Sequence, residues 1–527
     1  MENLEVFILA LFVSVAGLNA LARWLSVPYP ITLVLGGLAL AALPGIPNIE
    51  LDPELVLIIF LPPLLYSAAF FADLRTLRAD LRAISMTSIG LALATTAVIA
   101  VSGHEVIGLS WALAFALGAI VSPTDPVAAT AIMRRVGAPR RIVNVIEGES
   151  LVNDAAALVA YRVAVAAAVG GSFSLLDASL EFVGAAVGGV AIGLAAGFVI
   201  TEIRRRLDDI PTEITISLLT GYAAFLPAQE LGLSGVLAAV TAGIYLGWKA
   251  PEIATPQMRL QGFAVWEILV FLLNATLFIL IGLQLPVVVD GIQPLSAVEV
   301  AGYAALVCAA VIATRFAWMF TVPYLIRFVD RRPSQLQRRV GAAPRVVAAW
   351  SGMRGAVSLA AALALPLETD AGVPLPERSL IIFLTFALIL VTVVVQGLTL
   401  PAVIRRLGVT EDGSEEEQEE IRARLVAARA AIERLDELAE EEWTRDDTIS
   451  RVRGAFEFRQ RRFKTRAGKI EDDGIEDRSI AYQQLMRALF DVQRRAVVEL
   501  RNSGEISAEV MRRIERELDL EESRLEI

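Results

Sequence analysis

The sequence predicts an all-α polytopic membrane protein. It would have about 13 transmembrane helices, inverted repeats with two crossing broken helices, and a helical cytoplasmic tail. Three observations predict this. Of the 527 residues, 55% are hydrophobic, more apolar surface than a water-soluble fold can hide. The apolar residues come in repeated runs of about 20, the length that crosses a bilayer. Lys and Arg fall almost entirely in alternate gaps between those runs, as they do when basic loops stay in the cytoplasm.

In chain order the predicted spans are 4–22, 30–44, 54–71, 83–101, 106–133, 141–168, 181–203, 212–227, 233–248, 260–285, 297–326, 345–366 and 378–404. The acidic start Met1-Glu2-Asn3-Leu4-Glu5 reads as a retained first helix rather than a signal peptide, which wants a basic beginning. The odd-numbered gaps collect Arg134, Arg135, Arg140, Arg141, Arg204, Arg205, Arg206, Arg331, Arg332, Arg338 and Arg339. That places the amino end outside and the tail in the cytoplasm. Removing any one span would scramble the alternation. Arg162, Arg315 and Arg354 remain within spans; Arg162 is expected to snorkel, and the two deeper ones need partners. In the seventh span, Gly184, Gly188, Gly189, Gly193 and Gly197 predict close helix packing, within one chain or across a dimer.

The fifth span carries Ser122-Pro123-Thr124-Asp125-Pro126-Val127-Ala128 at mid-depth. Two prolines remove amide donors and clash with the preceding turn, so the helix should break and restart with Thr124 or Asp125 as its cap. The twelfth span breaks at Trp350-Ser351-Gly352-Met353-Arg354-Gly355. These helices are seven crossings apart and run in opposite directions, the arrangement of an inverted repeat. Asp125 can then offset the positive helix ends and Arg354 the negative ones.

The sixth span carries Glu149, Ser150, Asn153 and Asp154 within an arc of about 140°. Two carboxylates, an amide oxygen and a hydroxyl suit a hard monovalent cation, with the carbonyl freed at Thr124 completing the shell. Glu149 is expected to neutralise Arg354 as scaffold, leaving Asp154 as the exchanging acid. Burial disfavours the ionised carboxylate, so proton and cation compete for the same oxygens near neutral pH. The lone Cys308 excludes a disulfide framework, and the lone His104 excludes a zinc cluster or a Ser-His dyad.

The ordered segments resemble the monovalent cation/proton antiporters, in particular bacterial sodium/proton exchangers of the first branch (NhaP-like), relatives of the animal exchangers. They are Phe60–Tyr66, Ser122–Ala128, Glu147–Asp154, Ser234–Ala238, Leu277–Leu283 and Trp350–Ser358. The resemblance implies a transporter rather than an enzyme, without a cofactor, exchanging Na⁺ (or Li⁺ or K⁺) for H⁺ across the cell membrane in pH homeostasis. It also implies a homodimer. A moving core of about 83–168 and 297–404 would work against dimerisation helices of about 4–71 and 181–285, in an exchanger domain of 1–408. The ion-binding aspartate falls on Asp154, with Asn153, Ser150, Glu149 and Thr124 around it, Asp125 as the broken-helix aspartate and Arg354 opposite. Asn rather than Asp at 153 implies electroneutral exchange. Ser67 departs from the Glu that many relatives carry after Leu64-Leu65-Tyr66.

The tail, 409–527, alternates leucine and isoleucine with dense charge and predicts several amphipathic helices with a regulatory or dimer-associated role. Residues 411–527 hold 31 acids and 22 bases, against 27 and 25 in the first 410. Two rival functions fit parts of the pattern. A cation channel would explain the polar midplane, but no carbonyl-rich filter sequence is evident. An intramembrane aspartyl protease would use Asp125 and Asp154, but an arginine near them suits a shared proton poorly.

Overall fold

The structure is a computed structural model. It describes residues 2–25, 27–42, 53–72, 74, 84–170, 175–284, 286, 289, 292, 295–329, 340–411 and 414–526. The chain divides into two compact units, Met1–Thr410 and Glu411–Ile527. Among the described residues the one β pairing is an isolated bridge between Glu368 and Pro374. The loop arginines Arg331, Arg332, Arg338 and Arg339 lie outside the described residues.

The first unit is a bundle of apolar helices. Its first half runs α1 (Glu2–Leu25), α2 (Tyr29–Ala41), α3 (Pro53–Phe70), α4 (Leu91–Ser102), α5 (Trp111–Val121), α6 (Pro126–Val136) and α7 (Arg140–Gly170). Its second half runs α8 (Leu175–Arg204), α9 (Ile210–Glu230), α10 (Gly235–Ile253), α11 (Pro256–Leu283), α12 (Ala297–Val329), α13 (Ala342–Trp350), α14 (Ala356–Leu363), α15 (Arg378–Val391) and α16 (Gly397–Arg406). Wider π-turns flank α4 at Met86–Gly90 and Gly103–Ile107, and another, Thr392–Gln396, joins α15 to α16.

Helix starts follow local chemistry. Ser110, Asp209, Ser234 and Thr255 each accept a hydrogen bond from a backbone N–H of the first turn. Pro126, Pro211 and Pro256 occupy first-turn positions, where a missing donor costs nothing. Seven stretches among the described residues are long and apolar enough to cross a bilayer, Val183–Arg204, Pro256–Leu280 and Arg378–Arg406 among them. Large apolar side chains such as Leu194, Phe198 and Ile268 point outward, which in water would be prohibitive.

The glycine-rich α8 packs within the chain. A Cβ at Gly189 or Gly193 would collide with the Ser234 or Ala238 carbonyl, and one at Gly197 would press on Tyr245, all at or on α10. Small residues let these two backbones touch. The main apolar core gathers Leu113, Ala116 and Leu117 of α5, Leu359 and Ala362 of α14, and Ile381, Leu384 and Ile389 of α15. The two broken helices therefore lie inside protein, the setting in which irregular backbone at membrane depth is tolerated.

The second unit contains α17 (Ser414–Leu438), α18 (Asp446–Arg466), α19 (Ile475–Asn502) and α20 (Ala508–Ser523). Its small core holds Phe463, Ile475, Phe490, Val497 and Leu518. Ion pairs clasp it: Arg462 and Arg466 on Glu476, and Arg494 on Asp519 and Glu522.

Candidate functional site

The chain between α5 and α6 unwinds at Ser122–Asp125, and the chain between α13 and α14 unwinds at Ser351–Gly355. The two breaks lie directly against each other, since the Asp125 amide donates to the Met353 carbonyl at 2.8 Å. Each break leaves orphan carbonyls at one helix end and orphan amides at the next. Asp125 serves the amides: its carboxylate accepts from Val127 N at 2.8 Å and from Ala356 N at 3.4 Å, one at each restarting helix. Arg354 serves the carbonyls, donating to Val121 at 3.0 Å, Ser122 at 3.3 Å and Gly352. Opposite charges thus sit on opposite helix ends, where the macrodipoles favour them. The Arg354 amide donates to Thr392 Oγ1 at 3.1 Å, within the π-turn after α15.

Close approach dictates a glycine here. A Cβ at Gly355 would overlap the Asp125 carboxylate, so any larger residue would push the two caps apart.

On α7, Ser150 donates to the Thr124 carbonyl at 2.7 Å, and Asn153 Nδ2 donates to Thr124 Oγ1 at 2.8 Å. Thr124 Oγ1 reaches Glu149 at 3.4 Å. With its amide oriented this way, Asn153 Oδ1 is buried without a donor. The expected partnership of Glu149 with Arg354 is corrected: Glu149 takes Arg315 of α12, which binds both its carboxylate oxygens, the second at 3.1 Å. Arg315 also donates to the Ala348 carbonyl at 3.0 Å. The reason is geometric. Arg354 is spent on helix-end carbonyls of its own crossing, whereas Arg315 reaches Glu149 from a neighbouring helix; both partners are at most 2% exposed. Arg162 donates to the Leu233 carbonyl at 2.7 Å.

Asp154 is 7% exposed and makes no hydrogen bond or ion pair among the described residues. It opens onto a cavity of about 790 Å³ together with Thr124, Asp125 and Ser150. The cavity extends to Arg134, Asn144 and Glu147, where Arg134 and Glu147 form an exposed ion pair at 2.7 Å. Residues of α3 and α11 also line it, including Ser67, Glu267 and Asn274. Among the described residues no group of three acidic, His or Cys side chains is gathered to hold a metal. A cation here would meet one free carboxylate and neutral oxygens. Sequence reasoning left Arg315 unassigned and missed Thr392 and Glu267; a polar residue inside an apolar run was the available signal in each case.

Comparison with known proteins accords with this geometry. The family model described as "Sodium/hydrogen exchanger, transmembrane" matches residues 8–406. A Na(+)/H(+) exchanger of Mycobacterium tuberculosis is 37% identical over 528 residues, covering 99% of this chain and 96% of that protein. The "Sodium, potassium, lithium and rubidium/H(+) antiporter" of Bacillus subtilis is 34% identical over 414 residues, covering 76% of this chain and 61% of its own length. The solved sodium proton antiporter MjNhaP1 from Methanocaldococcus jannaschii superposes with a TM-score of 0.60 at 19% identity, covering 78% of this chain and all of that one. On the length of the family match and the identity to relatives spanning nearly the whole chain, this protein belongs to the sodium/hydrogen exchanger family of multi-pass membrane cation/proton antiporters.

Proposed function

We propose that this chain exchanges Na⁺, with Li⁺ or K⁺ as alternative cargo, for H⁺ through competition at Asp154. One observation carries the reading: among the described residues Asp154 is a buried acid with no hydrogen-bond or ion-pair partner, while Arg315 occupies Glu149 and helix amides occupy Asp125. A carboxylate without a fixed partner can take a proton or an alkali cation, and the two exclude each other. Ser150, Thr124 and Asn153 supply neutral oxygens, the ligand type hard cations prefer, and the orphan Asn153 Oδ1 gains a partner when a cation arrives. As in transporters generally, the transported ions are the substrates and no cofactor enters.

A neutral amide at 153 leaves one exchanging charge, so one cation moves per proton without net current. In this reading the chain crosses the membrane thirteen times as inverted repeats, amino end outside and tail in the cytoplasm. The cavity beside the basic 134–141 turn is then the inward-facing mouth. Residues of about 83–168 and 297–404 carry the site past a dimeric scaffold of about 4–71 and 181–285, in an elevator-like motion.

The test uses purified protein in vesicles loaded with a pH dye, with the membrane voltage clamped at zero. A Na⁺ gradient should drive proton movement in the wild type. Asp154→Ala should abolish it, a loss of more than a hundredfold, while still inserting and dimerising normally. Exchange that survives in Asp154→Ala would overturn the assignment, and a wild type that cannot build a proton gradient under clamp would favour a channel.

A further inference from the structure

The cavity in front of Asp154 has a second charged wall. On α11, Phe263, Glu267, Val270 and Asn274 line it from one helix face. Glu267 is the one carboxylate of that helix, eleven residues past Pro256, about 16 Å along the axis. Its side chain is exposed to the cavity and makes no hydrogen bond or ion pair among the described residues. A carboxylate three turns into an apolar helix is costly unless it faces a wet space and has work there.

The other ionisable groups on the cavity wall are committed or are the site itself. Asp125 caps two helices, Arg134 and Glu147 neutralise each other, and Tyr29 carries no charge at neutral pH. That leaves Glu267 on α11 and Asp154 on α7, both lining the same cavity. Both share the cavity with the mouth at Arg134 and Glu147.

We propose that Glu267 is an affinity-determining residue of the exchanger: its carboxylate keeps the cavity negative and gives a hydrated monovalent cation a stopping point before Asp154. The inference rests on the reading of Asp154 as the exchanging acid. A low-dielectric cleft lined by one sign of charge focuses the field and raises the local cation concentration. The same field acts on H⁺, so both competitors feel it equally.

In the vesicle assay, Glu267→Gln should raise the cation KM by about three- to tenfold while turnover is kept. The pH at which protons half-inhibit cation uptake should fall by the same factor, about 0.5 to 1 pH unit. The difference from wild type should shrink as choline chloride raises the ionic strength. Glu267→Asp should restore most of the affinity. A second variant avoids dependence on the Gln protein: Glu267→Cys can be labelled in the cavity, since Cys308 is buried. A sulfonatoethyl adduct should lower KM toward wild type and a trimethylammonium adduct should raise it further. An unchanged KM, a loss of turnover alone, or two adducts that act alike would overturn the proposal. Asp154→Ala in the same vesicles separates the two readings: if it is inactive and Glu267→Gln matches wild type, only the role of Glu267 falls.

Discussion

Glu149 and Arg315 show how two buried charges can be made structural. Neither is more than 2% exposed, and the guanidinium also holds the Ala348 carbonyl. Removing one partner of such a pair leaves the other desolvated and uncompensated, which costs roughly 3–5 kcal/mol. Arg315→Ala should therefore lower the melting temperature in detergent far more than Arg134→Ala, whose pair with Glu147 is exposed and worth under about 1 kcal/mol. Equal shifts for the two variants would remove the scaffold role from Arg315. Asp154, on the same helix as Glu149, is also buried but has no such partner among the described residues. Two acids five residues apart on one helix differ in chemistry because one has a guanidinium and the other an open cavity.

At the scale of elements, the crossed breaks depend on how closely they approach. Gly355 admits the Asp125 carboxylate where a methyl group would overlap it, and that carboxylate caps both restarting helices. Gly355→Ala should cost at least the worth of one cap, about 1 kcal/mol or more, and reduce exchange by more than tenfold. Gly184→Ala is the control, because a Cβ there meets nothing within 4 Å. Normal transport by Gly355→Ala would show that the caps can separate without consequence. The packing of α8 on α10 follows the same logic of small residues.

For the whole molecule, the apolar unit and the charged unit answer to different physics. The tail unit carries ion pairs that water and pH reach. Paired hydrogen bonds from Arg462, with Arg466 adding to them, hold Glu476 at about 2, well below the usual carboxylate range. A folded value below the unfolded one means this stabilisation is fully present above about pH 4.5 and is lost as pH falls toward 2. Glu476→Gln should weaken the unit by about 1 kcal/mol at pH 7. In the full-length protein, amide hydrogen exchange across α18 and α19 should then run about fivefold faster. Unaltered exchange rates would show that the clasp adds nothing to the tail.

Much of this protein was legible in the sequence because the bilayer imposes strong local constraints. Apolar runs, paired prolines at 123 and 126, and glycines around Arg354 each determine local structure without reference to distant residues. The ordered motifs also carried the family. The choice of partners was not legible. Glu149 had two candidate arginines, and only the folded bundle decides between Arg315 and Arg354, because reach and competing carbonyls are three-dimensional quantities. The same holds for Glu267: one acid in an apolar helix is visible in the chain, but the cavity it faces exists only after α3, α7 and α11 assemble. Local sequence determines which helices form and where they break; desolvation and distance, set by tertiary packing, determine which charges are neutralised and which are left without a partner.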